Sequence, residues 1–289
     1  MAFAKRIINL QFTLGQGDFG TAGQNTVLLE GLRCSANLVR GGNLLWVADV
    51  QIWGMSLDLM NKLTVTQKSY FQEYRRNDLF IFAGDSANTP SMCFGGTVRE
   101  AWADGRNQPD VVFHVSADTG QFPLSKPIAP TSYSGSVDAA MVLAGLAQQI
   151  GYSFENSGVT GQLENPYKPG SVRSQIESVC ADVHAQFDID DRTKVLAVWP
   201  NNKARNGAVV LVSPDTGLVG YPAFTQGGVQ FTTIYNPSLD FGRKVRIESA
   251  FTAANGEWRI SAMSHRLESQ IPNGQWFTDV ECSFLDNKA

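Results

Sequence analysis

Charge is scarce in this sequence: Asp, Glu, Lys and Arg make up 17% of its 289 residues, against a usual share of about a quarter. With a net charge of −4, the chain has no electrostatic footprint for gripping nucleic acid, because backbone binding rests on clustered Lys and Arg. Cysteine is rare as well. Cys34, Cys93, Cys180 and Cys282 lie far apart, with no CxxC and no Cys/His pair at zinc spacing, so they read as free buried thiols of a protein folded in a reducing cytoplasm. Nowhere do ~18 apolar residues run together, and the N-terminus has no apolar run long enough for a signal peptide. A soluble chain without conventional export is expected. No internal repeat and no low-complexity segment breaks the sequence up.

Against these absences, 43% of the residues are hydrophobic and 27 are glycine, enough apolar surface for real cores in one large or two to three small domains. The stretch Leu14-Gly15-Gln16-Gly17-Asp18-Phe19-Gly20 has the spacing of a dinucleotide cradle. Such a cradle must open a helix whose N-terminal amides face the pyrophosphate. Residues 26–38 lack a helical stripe and suit a strand with a bulge or close packing at Gly31, so the glycines are expected to shape a loop between antiparallel strands, with positive φ values.

From residue 6 to about 118 the pattern is strands and turns: 7–13, 44–53, 78–84, 93–102 and 111–115, with one short helix over 56–63 capped by Ser56. Many short antiparallel strands argue a barrel or a sandwich. The middle differs. Residues 136–150 read as a helix with Ser136 as N-cap, Gly151 as stop and Val137, Met141, Ala144 and Ala147 on its buried face. Ser171 caps a second, buried through Val172, Ile176, Val179 and Val183. Residues 187–191 and 195–199 form a hairpin, and strands return at 208–212, 229–235, 244–249, 258–265 and 276–284. The fold class is mainly β with an α/β insertion.

Catalytic patterns do not assemble. Ser132-Tyr133-Ser134-Gly135 lacks the feeding strand and first glycine of a nucleophile elbow. His114, His184 and His265 are isolated, and His184 with Cys180 offers only two metal ligands on one helix. Asp188, Asp190 and Asp191 tempt a calcium reading, but Thr193 and Trp199 stand where an EF-hand loop needs Gly and Glu; a solvated hairpin is expected. No carboxylate pair for glycoside cleavage is marked. Catalytic, cofactor and metal residues are therefore none.

The turn clusters Ser213-Pro214-Asp215-Thr216-Gly217-Leu218-Val219-Gly220-Tyr221-Pro222 and Tyr235-Asn236-Pro237-Ser238-Leu239-Asp240-Phe241-Gly242 punctuate strands, since Pro fixes φ and Gly accepts values others resist. Together with Gly256-Glu257-Trp258-Arg259-Ile260, Ser264-His265-Arg266-Leu267 and Gly274-Gln275-Trp276-Phe277-Thr278-Asp279, they resemble the baseplate hub proteins of tailed bacteriophages, the group related to the T4 central hub. In the first part, the step from Ala48 through Gly54 and Met55 to Ser56 resembles a hub strand leading into its short helix, and Phe94-Gly95-Gly96-Thr97-Val98 the strand after it.

The resemblance implies two tube-protein-like β-barrel domains, 1–118 and 206–289, joined by an α/β region, 119–205. It marks Gly54, Gly217, Pro222, Pro237, Trp258, His265 and Trp276 as structural signature positions. It implies a homotrimeric ring in the virion baseplate that adapts a hexameric tail tube, or its initiator protein, to a trimeric tail spike. Other baseplate proteins surround the ring, no membrane or cofactor is involved, and genomic DNA crosses the lumen without specific binding. No lysozyme-like segment is added to the chain, so an attached cell-wall hydrolase is not expected. The rival readings are a tail-associated cell-wall hydrolase and a peptidoglycan- or carbohydrate-binding module. The latter would need an exposed aromatic platform at Trp199, Trp258 or Trp276, whose large apolar rings suit a core better.

Overall fold

The computed structural model describes residues 4–41, 45–66, 76–106, 108–120, 124 and 127–285. The fold is mainly β and divides into two compact units that interleave along the chain. The first holds residues up to 119 with 232–237 and 263–279; the second holds 120–231, 238–262 and 280–289.

The first unit opens with β1 (Arg6–Thr13), β2 (Thr26–Leu29), β3 (Arg33–Gly41), β4 (Val47–Trp53), α1 (Leu57–Leu63), β5 (Asp78–Asp85), β6 (Ser91–Asp104) and β7 (Val112–Asp118). Side chains alternate across a strand, so every second residue faces the core. Ile8, Leu10 and Phe12 of β1, Ala48, Val50 and Ile52 of β4, and Phe113, Val115 and Ala117 of β7 are all buried on that rule. Register brings them together, with Leu10 opposite Ile81 and Val50 opposite Val115. The expected strand over 26–38 is in fact two, β2 and β3, broken at Gly31. Leu44, at the start of the expected 44–53 strand, lies outside the described residues. Ser56 caps α1 as expected, accepting from the Leu59 amide at 3.3 Å, while Asp58 and Lys62 pair one turn apart.

The second unit contributes β8 (Thr131–Ser132), β9 (Ser136–Asp138), α2 (Ala139–Gln149), β10 (Ser153–Asn156), β11 (Gln162–Glu164), β12 (Tyr167–Lys168), α3 (Val172–Asp182), β13 (Ala185–Asp190), β14 (Val195–Pro200), β15 (Val210–Val212), β16 (Leu218–Thr225) and β18 (Lys244–Ile247). Three more strands, β17 (Gly228–Ile234), β19 (Gly256–Ser269) and β20 (Trp276–Ser283), supply residues to both units. In the second unit the sheet order is β16-β17-β20-β19-β18-β15, and a small sheet β10-β14-β13 packs against α2 and α3. In the first it is β17-β20-β19-β3-β4-β7-β6-β5-β1-β2.

Helix α2 starts later than its sequence suggests. Asp138 rather than Ser136 is the cap, its carboxylate accepting from the Ala140 amide at 2.8 Å. A carboxylate is favoured at the positive end of the helix dipole, and β-branched Val137 is drawn into β9 opposite Leu163. The buried face turns accordingly. Ala139, Val142, Leu143, Leu146 and Ala147 are buried, while the expected core residue Met141 is exposed. Ser171 does cap α3, and Val172, Ile176 and Val179 are buried as expected. The 187–199 hairpin forms antiparallel, with Phe187 opposite Val198. The turn cluster at 213–222 holds more structure than expected: a 3-10 turn at Pro214–Thr216 and then the first five residues of β16.

Candidate functional site

The glycine-rich loop is a connection between strands. Flanking strands β1 and β2 pair antiparallel, Thr13 opposite Thr26, and the loop is tied by the Leu14 amide to the Asn25 carbonyl at 2.8 Å. Gly17 and Gly20 take left-handed φ values of 90° and 108°. Gly15 does not; a Cβ there would run into the Arg76 carbonyl, so its role is close approach rather than turn geometry. No helix follows to present amides to a phosphate.

The aspartates of the β13–β14 hairpin overturn the expectation of a solvated turn. Asp188, Asp190 and Asp191 are 1%, 4% and 6% exposed. Asp190 accepts from the Arg192 backbone and Nε, each at 2.9 Å, from Arg192 Nη2 at 2.9 Å, and from Thr193 at 3.1 Å. Arg192 reaches on to Asp240 at 3.2 Å. Arg205, nearly fully buried, grips Glu155 with two bonds of 2.9 and 2.8 Å and lies 3.7 Å from Asp188 and 3.5 Å from Asp240. Arg243 lies 3.5 Å from Asp240. Asp191 accepts from the Gly120 amide at 2.5 Å, from Lys194 at 2.6 Å and from the Tyr152 hydroxyl.

Burial alone would push the Asp190 carboxyl up, but Arg192, through hydrogen bonds and charge, outweighs it and holds the group below the usual carboxylate range. Bonds from Arg205 lower Glu155 despite partial burial. Buried charges persist only when paired and hydrogen-bonded, and here the pairing joins β10, the hairpin, the loop before β15 and the loop before β18. The sequence hid this because Glu155, Arg205 and Asp240 are far from the hairpin along the chain. The one local hint was two carboxylates, Asp188 and Asp190, alternating with the apolar Phe187 and Ile189 in β13.

None of this is a catalytic constellation. Among the described residues no three His, Cys, Asp or Glu side chains converge to hold a metal. His114 stacks on Trp102 with ring centroids 5.0 Å apart, and His184 follows α3 in a left-handed conformation. The four cysteines are free and buried, as expected. Burial pushes the Cys180 thiol up to about 12 and raises Cys34 and Cys282 as well, which keeps them protonated and inert. Among the described residues, no helix is long and apolar enough to cross a membrane.

The seven signature positions fall into separate places. His265 and Trp276 each pack T-shaped on Tyr235 in the first unit; His265 Nδ1 lies 2.9 Å from the Thr278 hydroxyl, and its ring stacks on Trp46. Gly54 leads from β4 to the Ser56 cap, and Pro237 follows β17 on the surface. In the second unit Gly217 closes the 3-10 turn in the left-handed region, Pro222 sits in β16, and Trp258 donates to the Ala254 carbonyl at 2.9 Å. Trp199, Trp258 and Trp276 are all buried, which removes them as an aromatic platform.

The exposed apolar groups lie elsewhere. Strand β16 ends its sheet and exposes Val219, Tyr221 and Phe224; Tyr221 stacks on the exposed Phe251, centroids 4.6 Å apart. Sequence reading missed β16 because glycine and proline masked its strand pattern.

The chain matches the family model described as Baseplate hub gp41 over residues 7–282. No curated protein matches the sequence. Among solved structures it is similar to the 43 kDa tail protein of prophage MuSo2 from Shewanella oneidensis, at 7% identity and a TM-score of 0.61 over 97% of this chain and 96% of that one. It is similar to the tail protein from Neisseria meningitidis MC58, at 7% identity and a TM-score of 0.62 over 96% of each. A third similar structure is the E. coli c3393 protein, a type VI secretion component described as structurally similar to the T4 tail proteins gp27 and gp5. It matches at 9% identity and a TM-score of 0.59 over 95% of this chain and 77% of that one. At these identities the structural matches speak for the fold.

Proposed function

As the chain belongs to the Baseplate hub gp41 family, a family of structural phage tail proteins rather than enzymes, we propose that three copies form a ring at the tip of the tail. The ring adapts a hexameric tail tube to a trimeric spike and leaves a channel for DNA. In this reading the regions 1–118 and 206–289 supply two tube-like barrels per copy, so three copies present six similar units around one axis. The α/β region 119–205 joins them. The spike, the tube or its initiator and other baseplate proteins are the partners, and the protein is made in the host cytoplasm before it enters the virion.

The observation that carries the proposal is the family match along 7–282. The presence of two strand-rich units in one chain fits it. Low charge fits it too: a ring buries surface on every copy, and interfaces are depleted in charged residues at their cores. A net charge of −4 gives DNA nothing to adhere to in transit. Mass photometry of the protein with its spike partner, or a reconstruction of the tail tip, tests the reading. Three copies are expected; a stable dimer, or six copies around the axis, overturns it.

A further inference from the structure

Arg259, in the second unit, is a buried cation held by neutral groups. It lies on β19, is 7% exposed, and alternates along the strand with the core residues Trp258 and Ile260. Its Nε donates to the Ser283 hydroxyl at 3.1 Å, and Nη1 donates to the Lys203 carbonyl at 3.0 Å and to the Asn201 carbonyl. The remaining nitrogen, Nη2, makes no hydrogen bond among the described residues and is not sealed from solvent. Arg192 and Arg205 of the same unit differ. Burial lowers both, but hydrogen bonds and charge from their carboxylates outweigh it and raise them above the usual guanidinium range. Arg259 is pushed below that range by burial, with no carboxylate acting on it.

The surroundings add to the deficit. Lys244 stands directly opposite Arg259 in the β18–β19 pairing, and like charges so placed repel. The acid two residues back along β19, Glu257, is taken by Lys244 at 3.0 Å. Lys203, whose carbonyl holds Nη1, is itself exposed. A buried ion gives up hydration that neutral acceptors restore only in part, and the nitrogen left over here faces outward. We propose that Arg259 Nη2, beside Lys244 and Lys203, is the receiving site for a single carboxylate, an acidic side chain of a partner protein. One negative charge matches the one uncompensated guanidinium. A nucleic-acid phosphate chain fits less well, since Glu257 borders the site and the chain carries a net charge of −4. The site goes beyond the hub reading and does not depend on how many copies assemble.

The test is thermal melting of the full chain in sodium acetate against sodium chloride at equal ionic strength, because an anion that binds the folded state raises the melting temperature. Comparing this acetate gain between the unaltered chain and its variants removes general salt effects. The gain should be about 1–3 °C larger in the unaltered chain than in Arg259→Gln. Since Arg259→Gln also drops the bonds to residues 201, 203 and 283, two surface variants carry the same test. Glu257→Gln frees Lys244 and removes a repelling charge, so its acetate gain should exceed that of the unaltered chain; Lys203→Glu should fall short of it. Equal gains in all four chains overturn the site and leave Arg259 as a tether of the 201–203 turn. A gain in sodium phosphate that exceeds the acetate gain, with the same dependence on Glu257 and Lys203, overturns the carboxylate assignment.

Discussion

Two segments of this protein imitate ligand-binding motifs, and they do so for opposite reasons. The glycine loop between β1 and β2 imitates a phosphate cradle because turn geometry needs the same residue that close phosphate approach needs. It is a local device: its restraints come from its own backbone, from Asn25 and from the neighbouring Arg76 and Asn77. The aspartate hairpin imitates a cation loop because it concentrates carboxylates, but its cations are side chains: Arg192 on Asp190, Lys194 on Asp191, and Arg205 from the loop before β15 near Asp188. The turn of the first is set within residues 14–25, with Arg76 and Asn77 adding contacts at Gly15; the second pairs locally through Arg192 and Lys194 but joins Glu155, Arg205 and Asp240 only after the chain has folded. A motif made of conformational freedom can be judged from its flanks, whereas one made of charge has to be judged from its counter-charges.

The sharpest break of this contrast is Arg205→Met. Taking one partner from a buried ionic group leaves Asp188 and Glu155 short of a cation, which costs about 3–5 kcal/mol, and chemical denaturation should report a loss of that size confined to the second unit. A loss below about 1 kcal/mol, the scale of an exposed pair, would show that the network is a surface feature. Gly15→Ala should cost less, about 1–3 kcal/mol as an overpacked site does, because the Arg76 backbone must move. Gly17→Ala should cost about 1–2 kcal/mol, the penalty of a left-handed backbone with a Cβ, since nothing crowds that position. Calorimetry on these glycine variants and on the unaltered protein should detect no NAD or ATP binding; tight binding lost on substitution would restore the cradle reading.

Acid gives a finer comparison. Asp190 and Glu155 have folded pKa values below their unfolded ones, so the unfolded chain takes up protons first as pH falls. Their stabilisation is complete above the unfolded carboxylate range of about 3.9–4.3, and it is lost as pH drops through the lower folded values. Stability measured from about pH 5 to pH 3 should fall in the intact protein, and fall less steeply in Arg205→Met, where Glu155 has lost the group that lowers it. An equal slope in both would separate acid sensitivity from this network.

Period-two burial made the strands of the first unit readable, since one face of each is buried and the other is less so. The helices were readable to within their caps; α2 slipped because Ser136 and Asp138 are both good caps and tertiary pairing of Val137 with Leu163 decided between them. Strand β16 was not readable, because Gly220 and Pro222 interrupt it and only Leu218 and Pro222 along it are buried, too sparse an alternation to detect. Nor was the ionic network, whose members meet only across long separations.

The four buried thiols have a consequence for a protein whose family belongs to a particle that leaves the cell. A virion outside the cell meets air-saturated surroundings, where an accessible thiolate would be oxidised or would link neighbouring copies. Cys34 and Cys93 belong to the first unit, Cys180 and Cys282 to the second. Each unit thus carries two silent reporters, and the rate at which an alkylating reagent reaches them measures how often that unit opens while the particle waits for a host.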